Sequence, residues 1–272
     1  MPEKMRGANV LSLIVRKLRL EKIAGFAYPC HQVPSRSPER PIINMSSQHP
    51  VQAVNPLPVV VIILFAAIVA VEIGFQLGAR GLVGGPEAVG WRLAALQRYA
   101  FSGDILRWMW DTGQWPLEHL LRFVSYPFIH VSFTQALFSG VMLLALGKMV
   151  AETCGAVAML AVFFVSSVAG ALAYAVFTNS PVPLVGAFPP VYGLIGAFTY
   201  LLWLRLSAVG ENQARAFTLI GFLMAIQLIF AVFIDVQPDW VADLGGFAAG
   251  FALTIVLVPG GWARLLARLR QG

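Results

Sequence analysis

The sequence predicts an all-α polytopic membrane protein, a bundle of six transmembrane helices. Of its 272 residues, 58% are hydrophobic and only 12% are charged, and the mean hydropathy is +0.75. Soluble globular domains rarely reach such a composition. Several apolar runs extend over about 20 residues, the length that crosses roughly 30 Å of hydrocarbon. These two observations exclude a soluble globular fold.

Six segments are apolar and long enough to be spans. In chain order they are residues 57–77, 126–150, 156–177, 183–206, 216–234 and 240–258. The third carries small residues, which let neighbouring helices approach closely. We therefore expect one membrane domain over residues 57–258, with a long first loop at residues 78–125.

Basic segments flank this domain. Residues 1–56 are rich in Lys, Arg and Pro, which predicts a largely disordered cytoplasmic segment that begins with a short amphipathic helix. Residues 1–44 are either translated or an artefact of start-site choice, because Met45 lies just before the first span. Residues 259–272 form a basic cytoplasmic tail.

The positive charge indicates a lipid partner. The formal net charge is +6, with its excess at the two ends, a pattern that suits anionic headgroups and topology signals better than nucleic acid. Six spans with basic flanks place both termini in the cytoplasm, and we expect a multi-pass protein of the bacterial inner membrane. The first loop departs from this charge rule because it carries five arginines on the opposite side.

The long first loop has the composition of an interfacial segment. It contains four tryptophans, a residue type that prefers the headgroup level. Residues 91–101 and 104–112 are predicted to form short helices in the interface. Glu72, near the outer end of the first span, is expected to reach the interface, and the alternative is that it faces protein or water.

Cysteine and histidine spacing indicates neither a metal site nor a cofactor. Cys30 and Cys154 are isolated thiols, which we interpret as small apolar residues on the reducing side. The four histidines lie too far apart in sequence for a metal-ligand pattern.

Four short sequence motifs lie between residues 121 and 251. Arg122 is followed eight residues later by His130, the second span closes with Gly147 to Glu152, and the fourth begins with Gly186-Ala-Phe-Pro-Pro-Val-Tyr192-Gly. The last span contains Ala-Asp-Leu-Gly-Gly-Phe-Ala-Ala-Gly. These stretches, in this order and on these spans, resemble the rhomboid family of intramembrane serine proteases.

The resemblance implies a degenerate catalytic site. The position of the nucleophilic serine holds Phe188, and the position of the catalytic histidine holds Asp243. A further histidine and an asparagine of the family pattern are replaced by Gln135 and Ser139. Because phenylalanine has neither a proton to lose nor a lone pair to attack with, we expect no catalytic residue.

The last span keeps the helix-packing glycines that the family resemblance implies. Gly246 and Gly250 lie four residues apart, which makes a flat groove on one helix face. In the family this groove packs against the serine-bearing helix, and here Gly193 and Gly196 are expected to supply the facing surface.

Three functions remain open on the sequence. The first is an inactive pseudoprotease that binds transmembrane segments of client proteins without cutting them. The second is an active serine-type endopeptidase with a non-standard site, such as a Ser139–Asp243 pair. The third is a small-solute or proton pathway that uses Asp243 and Glu72.

Overall fold

The computed structural model describes residues 56–233, 239–258 and 270. Within these residues the chain forms nine α-helices, which we number in chain order: α1 (Val59–Ala79), α2 (Trp91–Tyr99), α3 (Gly103–Thr112), α4 (Leu117–Ser125), α5 (Phe133–Cys154), α6 (Ala156–Phe177), α7 (Phe188–Ala208), α8 (Thr218–Phe233) and α9 (Trp240–Leu257). Short 3-10 turns cover Pro86–Gly90, Tyr126–Phe128 and Gln213–Phe217. The all-helical class is as predicted.

Five of these helices are long and apolar enough to cross a membrane: α1, α5, α6, α7 and α9. The predicted fifth span corresponds to α8, whose described part is 16 residues long and therefore shorter than the roughly 20 residues that a span needs. The predicted N-terminal helix and tether, and nearly all of the basic tail, lie outside the described residues.

Two predicted span boundaries are wrong at their N-terminal ends. The second span was expected to start at residue 126, but Tyr126–Phe128 forms a 3-10 turn around Pro127. Helix α5 begins only after Ser132, whose hydroxyl accepts the N–H of Gln135 as an N-cap. The fourth span was expected from residue 183, but Gly186 has a φ of +95°, so the helix cannot begin before it.

Helix α7 occupies the centre of the bundle and is the most buried of the five spans. Its apolar residues Leu194 and Ile195 are fully buried in a core that also contains Val61 of α1, Leu143 of α5 and Phe163 of α6. A central helix that is apolar on all sides must be covered on all sides. This arrangement fixes the position of the N-terminal end of α7, where the motif residues lie.

Helices α7 and α9 touch backbone to backbone through glycines. A Cβ built at Gly250 would collide with the carbonyl oxygen of Gly193, and one built at Gly196 would collide with the carbonyl oxygen of Phe247. A Cβ at Gly246 would strike the carbonyl oxygen of Pro189. Only residues without a side chain permit such an approach. The contact holds the first turns of α7 and α9 side by side.

The long first loop is folded and packed onto the bundle. The predicted short helices are present as α2 and α3, and α4 is an additional helix that we did not predict. Phe101 and Leu184 form an isolated antiparallel bridge with N–O distances of 3.1 and 2.8 Å. Phe101 also belongs to a second apolar cluster with Met109, Tyr126 and Tyr174. The loop therefore packs against α6 and against the chain that leads into α7.

Candidate functional site

His130 is the centre of the first group of motif residues. Its Nε2 atom lies 2.9 Å from the hydroxyl oxygen of Ser139 and accepts the backbone N–H of Ala187 at 3.3 Å. The neutral ring can accept at Nε2 only when its proton is on Nδ1. Burial lowers the pKa of His130 to about 4, so the ring is neutral at pH 7.

The turn before α7 is fastened to the same group. The N–H of Gly186 donates to the carbonyl oxygen of Tyr126 at 3.0 Å. A Cβ at Gly186 would approach Nε2 of Gln135 to 2.7 Å, so both space and the positive φ require glycine. Gln135 itself accepts the N–H of Val131 through Oε1 at 2.9 Å. Hydrogen bonds and steric fit therefore fix the residues directly before Phe188.

A buried ion pair supports His130 from the other side. Arg92 of α2 donates to both carboxylate oxygens of Glu72 on α1 at 2.7 and 3.0 Å, and to the carbonyl oxygen of His130 at 2.6 Å. Gln76 donates to Glu72 at 2.9 Å. Glu72 is only 5% exposed. The expectation that Glu72 reaches the interface is therefore wrong, because the loop supplies a bidentate partner inside the protein.

Asp243 forms the second group. It lies in the first turn of α9 and is 2% exposed. Its Oδ2 accepts the side-chain N–H of Gln227 on α8 at 2.7 Å. Its Oδ1 is buried and, within the described part of the chain, has no hydrogen-bond donor. Tyr192, on the first turns of α7, is buried in the apolar core.

Phe188 is the first residue of α7 and packs half-buried against the core. Pro189 and Pro190 follow it at the start of the helix, where a missing N–H costs no intrahelical hydrogen bond. Pro189 also touches α6, since a Cβ at Gly170 would lie 2.7 Å from the Cβ of Pro189. The first turn of α7 therefore carries a packed aromatic ring followed by two prolines.

Ser139 and Asp243, which one alternative on the sequence pairs, are not hydrogen-bonded to each other. The Ser139 hydroxyl contacts His130 and the carbonyl oxygen of Ala136, at 3.2 Å from the latter. The Asp243 oxygens are bonded to Gln227 or have no donor. Because the carboxylate and the hydroxyl are not in hydrogen-bond contact, the geometry gives no support for Asp243 as the base of Ser139. Gln135 and Ser139 are therefore grouped with His130, and Asp243 belongs to a separate group.

The remaining motif residues have structural contacts. Arg122 donates to the carbonyl oxygen of Ala100 at 3.0 Å and thereby joins α4 to the end of α2. Glu152 pairs with Lys148 one turn earlier on α5, at 3.8 Å. A Cβ at Gly147 would lie 2.8 Å from the side chain of Met159 on α6. These residues hold the scaffold around the two groups.

Three residues of the site were missed on the sequence. Gln227 is a single amide in an otherwise apolar segment, and that pattern is a usable signal because such a side chain needs a partner. Tyr126 donates from its hydroxyl to the carbonyl oxygen of Ser167 at 2.9 Å. Arg92 had no local signal, because its partner Glu72 lies 20 residues away in sequence.

The fold defines a polytopic helical membrane protein, with five helices among the described residues that are long and apolar enough to cross a bilayer. The family model of the rhomboid domain matches residues 117–260, more than half of the chain. The chain belongs to the rhomboid family. A search among curated proteins returned no match.

Proposed function

We propose that this rhomboid-family protein is a pseudoprotease that binds transmembrane segments of client membrane proteins without cutting them. The side chains at the two reactive positions carry the proposal. Phe188 offers no nucleophilic atom, and Asp243 accepts a hydrogen bond from Gln227, with no hydroxyl of the described residues bonded to it. Nucleophilic catalysis needs an activated hydroxyl or thiol within reach of a base.

The retained scaffold supports the binding half of the proposal. The glycine contact between α7 and α9 keeps the first turns of these two helices side by side, although position 188 of α7 carries no nucleophile. The buried Glu72–Arg92 pair fixes the loop to the bundle. A chain that keeps this geometry without the reactive groups is suited to holding a transmembrane segment.

Topology belongs to the same proposal. We assign six spans, with the described part of α8 in the fifth, and cytoplasmic termini in a bacterial inner membrane. Lys148 near the end of α5 and Arg205 and Arg215 between α7 and α8 support this orientation. A fluorescent protein fused after Gly272 is expected to fluoresce in the cytoplasm, and a periplasmic phosphatase fused there is expected to be inactive.

A fluorophosphonate probe tests the absence of catalysis. Such probes label an activated serine and leave ordinary hydroxyls unmodified. We expect no labelling of the purified full-length protein in detergent or liposomes, with an active rhomboid protease as the positive control. Labelling that disappears in Ser139→Ala would contradict the proposal.

One observation favours a second candidate, an endopeptidase that uses Ser139 as its nucleophile. The Ser139 hydroxyl lies 2.9 Å from Nε2 of His130, a distance that suits proton transfer. Both side chains are at most 1% exposed, and Nε2 is shared with the N–H of Ala187. A substrate carbonyl has no approach to this pair as it stands. The probe experiment separates the two candidates.

A further inference from the structure

The Asp243 carboxylate is a buried acceptor that the described protein uses only in part. One oxygen accepts from Gln227, and the other has no donor among the described residues. The Oε1 atom of Gln227 is buried and unpartnered in the same way. Adjacent acceptor oxygens without donors are costly inside a membrane domain. Among the described residues, these two oxygens therefore lack a donor.

Among the described residues, Asp243 forms no ion pair, and its one side-chain hydrogen-bond donor is the neutral amide of Gln227. Asp239, which precedes it by four residues, is a second acid and supplies no positive charge. A carboxylate in such a place is stabilised by a cationic donor more than by any neutral group.

Gln227 covers the carboxylate from α8. The first two turns of α8 are held by apolar packing of Ile220, Leu223 and Met224 against the core. One turn further on, the hydrogen bond from Gln227 to Asp243 joins α8 to α9. Phe222 and Ile229 of α8 are exposed. A segment that binds at this helix needs to displace the hydrogen bond from the Gln227 amide to reach Asp243.

We propose that Asp243 selects client transmembrane segments that carry a basic residue at its own depth in the membrane. This inference rests on the proposed binding function and names the class of client. The ammonium or guanidinium of the client replaces Gln227 as the donor and also reaches the unpartnered Oδ1. A charged donor forms a stronger bond than an amide, especially where water is excluded. A basic residue inside a span is itself costly until it is paired.

Synthetic single-span peptides test this selection. The full-length protein is reconstituted in liposomes with fluorescent Leu/Ala spans that carry Lys at the depth of Asp243, Leu at that position, or Lys two turns deeper. We expect the first peptide to bind about tenfold more tightly than the other two, as measured by energy transfer. In Asp243→Asn the three affinities are expected to converge to within about twofold.

Two further variants distinguish recognition from a structural role. Gln227→Leu removes the internal competitor, so the ratio of Lys-peptide affinity to Leu-peptide affinity is expected to increase. A merely structural role of Gln227 predicts weaker binding of every peptide. Asp239→Asn removes an exposed acid one turn earlier in sequence and is expected to preserve the preference for Lys.

The outcomes separate this inference from the function on which it rests. Equal binding of the Lys and Leu peptides to the wild-type protein would overturn the inference and leave client binding intact. A preference that survives Asp243→Asn would also overturn it. If no peptide binds at all, both the inference and the proposed function fail.

Discussion

At the scale of single residues, His130 and Asp243 are both buried but differ in how fully they are paired. His130 has contacts to Ser139 and Ala187 at its Nε2 atom, and Arg92 binds its carbonyl oxygen. Asp243 keeps one carboxylate oxygen without a donor among the described residues. The contacts of His130 stabilise its neutral ring, whereas Oδ1 of Asp243 can still accept a hydrogen bond.

The neutral state of His130 predicts acid sensitivity of the fold. Its pKa is about 4 in the folded protein because of burial, against an ordinary value of 6.5. The unfolded chain therefore takes up the proton first as the pH falls, and stability that is complete above pH 6.5 declines towards pH 4. The loss reaches about 3 kcal/mol at most. Thermal unfolding in detergent between pH 7 and pH 4 measures it.

Variants assign this pH dependence to one side chain. His130→Gln keeps an amide near Ser139 but cannot titrate, so its stability is expected to decline less over the same interval. His119→Gln serves as the matched control and is expected to follow the wild-type curve. Identical curves for the wild type and His130→Gln would exclude His130 as the cause.

The assignment of Phe188, Asp243, Gln135 and Ser139 to reactive positions rests on the family resemblance and stays a prediction. The sequence did not indicate which residues contact them. The contacts of Glu72 and Asp243 could not be predicted in this way, because Arg92 and Gln227 belong to other helices. Spacing along one helix reports its faces, whereas pairing between helices depends on how the helices are arranged.

At the scale of secondary-structure elements, backbone contact between α7 and α9 orders the site. Gly246 and Gly250 of α9 face the backbone of Pro189 and Gly193 on α7. The first turns of the two helices, which carry Phe188 and Asp243, are neighbours for this reason. Glycine spacing predicted a groove on α9, and the family resemblance named α7 as its partner. The predicted start of α7 was too early because the turn at Gly186 was not recognised.

A methyl group at this contact is expected to separate the helices. Gly250→Ala places a Cβ against the carbonyl oxygen of Gly193, and backbone cannot move aside as a flexible side chain does. We expect a loss of at least about 2 kcal/mol in the free energy of unfolding. The matched control is Gly221→Ala on α8, where nothing lies within 4 Å of the new Cβ, and there we expect a small gain. Equal changes in unfolding temperature for Gly250→Ala and Gly221→Ala would contradict the close contact between α7 and α9.

The ion pair between α1 and α2 is expected to anchor the loop. Glu72→Gln leaves the Arg92 guanidinium without its charged partner, so we expect a loss of about 2 kcal/mol in stability. The double variant Glu72→Gln/Arg92→Gln is expected to be more stable than Glu72→Gln alone, because no unpaired guanidinium remains. The exposed pair of Glu211 and Arg215, at 2.9 Å, supplies the control, and Glu211→Gln is expected to cost less than about 1 kcal/mol. Chemical denaturation of all four proteins gives the comparison.

At the scale of the whole molecule, the described chain is a helical membrane domain with a packed first loop. The apolar cluster around Phe101 and Tyr126 joins the loop to α6, and the bridge to Leu184 joins it to the turn before α7. Composition was sufficient to predict the membrane domain and its short loop helices. It could not show that the loop packs on the bundle, because tryptophans suit an interface and a protein contact equally.

Photo-crosslinking from position 188 tests the central claim most directly. Phe188 is replaced in the full-length protein by a benzophenone analogue of phenylalanine, the cells are irradiated, and the adducts are identified by mass spectrometry. Binding without cleavage predicts adducts to transmembrane segments of client proteins that retain their full length. Clients recovered as fragments that end within the crosslinked span would contradict the account, and so would adducts to lipid alone.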